Sequence, residues 1–366
     1  MPRSLQEKPS PRRRFLTTGA FAAAAVALYP SEIERHWIEV SHREVPVAGL
    51  HPAFDGLRVV QLSDIHCGEF TEPFFLRRVV GCVNRLDPDL VLLTGDFVTK
   101  APLSDRVFKD AAWACATILN ELKCQQRYAC LGNHDFMVGK EKVAAALKAF
   151  GIVVIGNGCL PVERGGGRFW LSGLEDPSEG NPDPAAAIPP SIRNRPHEPI
   201  VLLCHGPDYA DNLLARPEGQ AVALMLSGHT HGGQVRLPLL GAQFLPEWGR
   251  KYVRGWFRLG KMQLHVNRGI GAIHVPFRFN CPPEITCITL RAEPSQAIAI
   301  PQFRYSANDA LQPASPQARV SVEGASSLMR DAWVGAKALD RPMARSGGLA
   351  RTAARRNDSW IAGMPV

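Results

Sequence analysis

The chain has 366 residues, 45% hydrophobic and 8% aromatic, with a formal net charge of +8. So much apolar content excludes a disordered chain and suffices for one large core or two modest ones. The excess charge does not indicate nucleic-acid binding: residues 1–30 hold five Lys/Arg against one acid and residues 293–366 nine against six, which leaves 28 bases and 27 acids in 31–292.

The N-terminus reads Pro11-Arg12-Arg13-Arg14-Phe15-Leu16-Thr17 and runs into the small, apolar stretch Gly19 to Leu28. An Arg pair, one spacer, Phe-Leu and a run shorter than the ~20 residues of a bilayer span resemble a twin-arginine export signal. Ala27-Leu28-Tyr29 has a bulky residue at each of its last two positions, so both cleavage and retention as an N-terminal anchor stay open. Residues 1–36 are therefore expected to be a signal or anchor with its linker. The export machinery becomes an expected partner, and the expected location is the periplasm or the outer face of the cytoplasmic membrane. Nine cysteines (67, 82, 115, 124, 130, 159, 204, 281 and 287) show no C-x-x-C spacing, which argues against a zinc ribbon or a disulfide framework and for small buried apolar residues.

From Trp37 to about Leu290 short β-branched runs alternate with amphipathic stretches. Strands are predicted at Arg58–Leu62, Leu90–Leu93, Tyr128–Leu131, Val153–Ile155, Phe169–Leu171, Ile200–Leu203, Ala223–Leu226, Gln263–Val266 and Ile285–Leu290. Helices are predicted at Phe74–Arg85, Asp105–Leu122 and Lys140–Phe150, where apolar residues recur at three- and four-residue steps. This alternation defines an α/β domain over 37–292. Asp176–Pro199, rich in Pro and Gly, reads as a surface excursion. Beyond Glu293 the composition turns to Ala, Ser, Pro and Arg, with too few large apolar residues to offset ordering entropy, so 293–366 reads as a disordered basic tail with a candidate short helix at Ser326–Leu339.

Five motifs each follow a predicted strand: Ser63-Asp64-Ile65-His66, Gly95-Asp96, Gly132-Asn133-His134-Asp135, His205, and Gly228-His229-Thr230-His231. In α/β sheets ligands gather at the carboxyl ends of strands, so the five can converge on one site. In Asp64-x-His66 and His229-x-His231, extended backbone would point both members of each pair to one side. Carboxylates, an amide and imidazoles without thiolates suit Mn, Fe, Zn, Co or Ni better than a pure Mg site. Using every ligand requires two ions, and a carboxylate bridging them holds them roughly 3.5–4 Å apart, a spacing suited to in-line displacement at phosphorus. Asp96, alone in its motif, is the natural bridge.

Together these motifs resemble the calcineurin-like metallophosphoesterase superfamily over roughly residues 38–290, with every core motif present in order. The leader, the extended Gly-His-Thr-His-Gly-Gly-Gln of 228–234, Asn267-Arg268-Gly269 and Asn280-Cys281-Pro282-Pro283-Glu284 further resemble an exported bacterial phosphodiesterase subgroup related to the UDP-2,3-diacylglucosamine hydrolases of lipid A synthesis. The resemblance implies an α/β/β/α sandwich of two mixed β-sheets flanked by helices. It implies two divalent ions, one held by Asp64, His66 and His231, the other by Asn133, His205 and His229, with Asp96 between. It implies hydrolysis by a metal-activated hydroxide, His134 assisting the leaving oxygen and Asp64 orienting His134. Asp135 is expected to support the loop or orient a ligand.

Expected substrates are phosphoesters, including lipid-linked or nucleotide diphosphates. A UDP-2,3-diacylglucosamine pyrophosphatase and a catalytically silent metal-binding scaffold stand as alternatives, and the complete ligand set weighs against the second. Arg268 and Asn280 are candidate substrate contacts, Arg268 through bidentate binding of a phosphate, with fixing of the loop before the last strand as the competing role. Phe70, Phe74, Phe75, Trp248, Trp256 and Phe257 are candidates for an acyl-chain entrance or membrane contact, against a default of ordinary packing. His36, His42, His51, His197, His265 and His274 have no motif context and are read as surface or structural, and Cys67 as packing.

Overall fold

The computed structural model describes Thr18 and residues 28–68, 70–100 and 111–293. Most of the leader, the start of the helix predicted from Asp105, the tail beyond 293 and its candidate helix at Ser326–Leu339 lie outside the described residues. Among the described residues no helix is long and apolar enough to cross a membrane.

Two six-stranded mixed sheets form the body. The first has the order β1 (Glu39–Val47), β14 (Glu284–Ala292), β2 (Arg58–Leu62), β3 (Leu90–Thr94), β4 (Arg127–Cys130), β5 (Val153–Val154). All its pairs are parallel except β14 with β2. The second runs β12 (Gly255–Leu259), β13 (Met262–Val266), β9 (Val222–Ser227), β8 (Ile200–Leu203), β7 (Gly167–Gly173), β6 (Gly158–Arg164), antiparallel only at its two edge pairs. Three long helices, α1 (Pro73–Leu86), α2 (Ala111–Leu119) and α3 (Asn133–Ala149), pack against the first sheet. Single helical turns at Pro184–Ala187 and Pro190–Arg193 and the helix α4 (Tyr209–Leu214) cover the second.

The continuous apolar runs of the central strands follow from burial on both faces. In β3, Leu90 and Leu92 point between the sheets with Val59, Phe169, Val201, Leu224 and Ile288, while Val91 and Leu93 meet the helices with Val60, Leu62 and Val79. Likewise Val201 and Leu203 of β8 face the inter-sheet layer, and Ile200 and Leu202 face Ile188, Ile192 and Leu213. Helices, sheet, sheet and helices therefore make three apolar layers, as the resemblance implies.

The strands of these two sheets that are absent from the sequence reading, β1, β6 and β12, are all edge strands. An edge strand with one wet face carries mixed polarity: Glu39–Val47 buries only Val45 and Val47, so its pattern is too weak to read alone. Helix α3 begins seven residues before its predicted start, where the Asp135 carboxylate in its first turn accepts the amide of the N-cap Gly132 at 2.9 Å, and the helix breaks at Gly139, whose φ is 121°. The Pro-rich excursion holds only the two short turns at 184–187 and 190–193. All nine cysteines are free.

Leu92 is 2% exposed at the centre of the inter-sheet layer. Leu92→Ala should cost about 2–5 kcal/mol through lost burial and a residual cavity, read as a lower urea midpoint with an unchanged slope. An unchanged midpoint would show that the two sheets are not packed through this residue.

Candidate metal centre

Every motif residue lies just past the carboxyl end of a central strand. Asp64 follows β2, Asp96 follows β3, Asn133 and His134 follow β4, His205 follows β8, and His229 and His231 follow β9. Three loops thus arrive from one sheet and two from the other, meeting where the sandwich opens. Backbone bonds fix the meeting: Asp64 N–H donates to Gly95 O at 2.9 Å, His66 N–H to Asp96 O at 3.0 Å, and Gly228 N–H to His205 O at 3.1 Å. The motif glycines are there for contact between loops. A Cβ on Gly132 would overlap Asp96 Oδ1 and His205 Nε2, and one on Gly228 would overlap Ser63 Oγ and Asp64 Oδ2.

The paired motifs do not use extended backbone as the sequence suggested. Asp64, His66, Asp96, His229 and His231 all have positive φ, between 49° and 72°. Each strand ends before its motif, and a left-handed loop turns the two side chains inward in place of the alternation of a pleat. Such φ values cost a non-glycine residue free energy and concentrate at functional sites.

Two clusters result: Asp64, His66 and His231, and Asp96, His205 and His229, each with its ligand atoms within 4.8 Å of one another. Asp96 Oδ2 lies 3.4 Å from His66 Nε2 in the first cluster and 3.2 Å from His205 Nε2 in the second. His231 Nε2 is 3.5 Å from Asp64 Oδ1 and 3.0 Å from His66 Nε2. Asn133 is 9% exposed and the other six candidates are more deeply buried still.

The imidazoles are oriented from behind. His66 Nδ1 meets Thr99 Oγ1 at 2.9 Å, and His205 Nδ1 donates to Thr94 O at 2.6 Å. His229 instead donates from Nε2 to Glu247 O at 2.6 Å, which leaves Nδ1 as its free lone pair. Such partners set which nitrogen can ligate. Asp64 accepts the His229 amide at 2.9 and 3.0 Å. Asp135 accepts four amides, from Asp96, Phe97, Val98 and Gly132, between 2.8 and 3.3 Å. It thereby ties the loop after β3 to the start of α3, the supporting role expected of it.

Burial lowers His66 to about 3 against the pull of Asp96, and burial with the charge of His205 lowers His229 to about 4, so both are neutral and can donate a lone pair. Burial raises Asp64 to about 6, with His205 opposing and Asp96 adding to the rise. His205 goes the other way: burial disfavours its charge, but Asp96, Asp64 and Asp176 around it raise it.

The residues fit a pair of divalent ions. Asn133 Oδ1 is buried without a hydrogen-bond partner among the described residues, a costly state unless something else satisfies it; His205 Nε2 meets the Asp96 carboxylate at 3.2 Å. Two ring nitrogens 3.0 Å apart, each held from its far side, are arranged for a cation. Two carboxylates, four imidazoles and an amide without thiolate make a donor set for Mn, Fe, Zn, Co or Ni.

His134 is half-buried at the rim of the first cluster, its ring centroid 5.0 Å from that of His66. Its orienting partner is the Lys100 amide, which donates to Nδ1 at 3.1 Å. Asp64, expected in that role, is occupied by the His229 amide. Arg268 is also otherwise engaged: its guanidinium pairs with Glu284 at 3.0 Å and Glu39 at 3.2 Å, the loop-fixing alternative. Asn280 is exposed with φ 53°. Of the aromatic candidates only Phe74 is largely exposed; Phe75 is in the core, Trp248 packs on Tyr209, Trp256 on His265 and Phe257 on Tyr252. Cys67 is buried, and His265 is buried against Gln61 at 2.8 Å.

Arg278 was invisible in the sequence. Fully buried, it donates to Gly271 O, Cys281 O and Arg268 O, and its Nη2 stands 3.5 Å from His231 Nδ1. No spacing marks it, because it binds carbonyls of a loop that only the fold brings together.

The family model for calcineurin-like phosphoesterases matches residues 57–233. Metallophosphoesterase YkuE of Bacillus subtilis strain 168 is 32% identical over 295 residues, covering 78% of this chain and 99% of YkuE. Phosphodiesterase YaeI of Escherichia coli K12 is 32% identical over 286 residues, 76% of this chain and 98% of YaeI. The UDP-2,3-diacylglucosamine pyrophosphatase LpxG of Chlamydia trachomatis is 25% identical over 333 residues, 76% of this chain and 97% of LpxG.

Two measurements check the site. Stripping divalent ions with a chelator should lower the melting temperature, since an ion at a thousandfold excess over its Kd stabilises the folded chain by about 4 kcal/mol; identical calorimetric traces with and without chelator would remove the metal centre. Arg268→Ala should cost about 2–4 kcal/mol, less than for a fully buried pair because Glu39 is half exposed. Burial works to raise Glu284, but Arg268, His265 and hydrogen bonds overcome it and lower its pKa. The pair's contribution is thus complete above about 4.3, the ordinary Glu value, and is lost as pH falls through the lowered folded value. The stability of the wild type should fall in that acid window, and Arg268→Ala should show a smaller change there.

Proposed function

Because this chain belongs to the calcineurin-like metallophosphoesterase family and is a metal-dependent phosphohydrolase, we propose that it cleaves phosphodiester or diphosphate bonds with Asp64, His66 and His231 holding one ion, Asn133, His205 and His229 a second, and Asp96 shared between them. The observation that carries this reading is the position of Asp96 Oδ2, 3.4 Å from His66 Nε2 and 3.2 Å from His205 Nε2. Bound there, two divalent ions supply Lewis-acid stabilisation of phosphoryl oxygens and a water nucleophile at neutral pH.

The chain's own residues supply the rest. His134 accepts the Lys100 amide at Nδ1, so the proton of its neutral ring sits on Nε2. That N–H is the donor for the leaving oxygen, a task imidazole performs near neutral pH. The His134 amide donates to Asp96 Oδ1 at 2.9 Å, so the proton donor and the shared carboxylate are positioned as one unit. Asp64, held by the His229 amide, fixes the loop after β9 relative to the loop after β2.

The names of YaeI and LpxG support a diester or diphosphate as the scissile group, and that of LpxG a lipid-bearing nucleotide diphosphate as one substrate class. The leader at Arg12-Arg13 supports export by the twin-arginine route to the periplasm or the outer face of the cytoplasmic membrane. Changing both Arg12 and Arg13 to Lys should leave the protein in the cytoplasm on fractionation.

Manganese-loaded protein should hydrolyse bis-p-nitrophenyl phosphate. His134→Ala should lower kcat by about 10²–10⁴, the range for a lost general acid, and Asp96→Asn should lower both activity and metal content. Wild-type rates in either variant would falsify this mechanism. Turnover of UDP-2,3-diacylglucosamine beside simple diesters separates the two substrate classes.

A further inference from the structure

Five residues past His231 the chain forms a ribbon belonging to neither sheet. Strands β10 (Arg236–Leu237) and β11 (Gly241–Ala242) pair only with each other. Its apolar side chains point into solvent: Leu239 is fully exposed, Phe244 is 90% exposed, Leu240 69% and Leu237 40%. Leu239 also has a φ of 66°, at a turn position where Gly or Asn would be less strained. A bulky aliphatic residue there carries both an exposure cost and a backbone cost in the isolated chain. Its use is explained if another apolar phase covers it.

The ribbon is held firmly at its base. Arg236 N–H donates to Phe279 O at 2.9 Å and Phe279 N–H to Gln234 O at 3.0 Å. The Gln234 amide spans the carbonyls of Ile273, Val275 and Phe277. On the other side of the same loop, Arg278 N–H donates to Pro30 O at 3.1 Å, within a segment whose Leu28, Tyr29 and Ile33 are exposed as well. Two apolar patches therefore flank one loop beside the metal ligands. Exposed Arg254 lies close enough to the ribbon for its charge to act on Arg236. Burial and the adjacent Arg254 charge lower the pKa of Arg236, so this edge already crowds positive charge. Lys251 is committed to Asp211.

We infer that the 235–246 hairpin seats the protein on an anionic lipid surface, with Leu239, Leu240 and Phe244 entering the acyl boundary and Arg254 meeting headgroup phosphates. Apolar insertion combined with basic residues is how interfacial anchors hold. A lipid surface fits better than a protein partner. The tip is narrow and convex, and a few side chains on it fall short of the roughly 800 Å² per partner that a stable protein interface buries; fluid lipid conforms to a convex wedge. Docking in this way would present the metal centre to phosphates at the membrane face. The inference is read by binding and does not depend on hydrolysis.

Full-length protein is sedimented with sucrose-loaded vesicles of phosphatidylcholine alone or with one-quarter phosphatidylglycerol. The wild type should sediment with the anionic vesicles. Changing Leu239→Asn, Leu240→Ser and Phe244→Ser together should lower its partition coefficient at least tenfold, with melting temperature and bis-p-nitrophenyl phosphate turnover unchanged. Arg254→Gln should reduce binding to anionic vesicles selectively. If the triple variant melts differently, Leu239→Asn alone, suited to the left-handed turn, should still weaken binding severalfold. Full binding by these hairpin variants, which would assign attachment to the leader, overturns the inference. So does a wild type that stays in the supernatant, or a hairpin-dependent dimer in sedimentation velocity.

Discussion

The Asp135 carboxylate, accepting the amides of Asp96, Phe97, Val98 and Gly132, is the interaction on which the rest of the centre depends. A buried carboxylate with four donors is satisfied only if two loops from neighbouring strands hold a single relative position. That position places Asp96 between the two clusters and starts α3 so that Asn133 and His134 face them. The sheets supply the frame, since β3 and β4 are locked by burial on both faces. Stability in the apolar layers thus becomes precision at the polar end.

Five ligand candidates sit at positive φ, each costing on the order of 1–3 kcal/mol relative to a relaxed residue. The surrounding bonds over-determine these conformations: Asp64 is fixed by Gly95 O through its amide, by Gly271 N–H through its carbonyl, and by the His229 amide through its side chain. Glycines at 132 and 228 let the loops approach closely enough to do this. Behind the site Gln61, His265, Thr94 and Ser227 O form a buried polar bridge between the two sheets. The centre therefore joins two sheets that each supply ligands, and neither sheet alone holds a complete set.

Legibility in the sequence followed the kind of signal each residue carries. Leu90–Leu93 and Ile200–Leu203 were readable because strands buried on both faces have no polar positions to obscure them. Glu39–Val47 and Gly255–Leu259 were not, because the solvated face of an edge strand mixes in residues that any loop could hold. Asp64, Asp96 and His205 were readable because each follows such a strand at short range. Arg278 and the Lys100 amide on His134 were not, since their partners are backbone atoms far away in the chain. The reading of Arg268 as a phosphate contact met a similar limit: Glu39 lies 229 residues away, and no local pattern announces an ion pair of that reach.

The sequence by itself determined which residues are chemically able to ligate and which strands deliver them, because ligand type and the apolar runs before each motif are local properties. It also determined the neutral balance of the central body, which is a matter of composition. Only the tertiary structure decided how closely the two ligand groups implied by the resemblance approach each other, which imidazole nitrogen is turned away on His205 and His229, and that Leu239, Leu240 and Phe244 stand uncovered. Those properties depend on distances between segments remote in sequence and on what remains unburied after packing, and neither is written in the neighbourhood of any one residue.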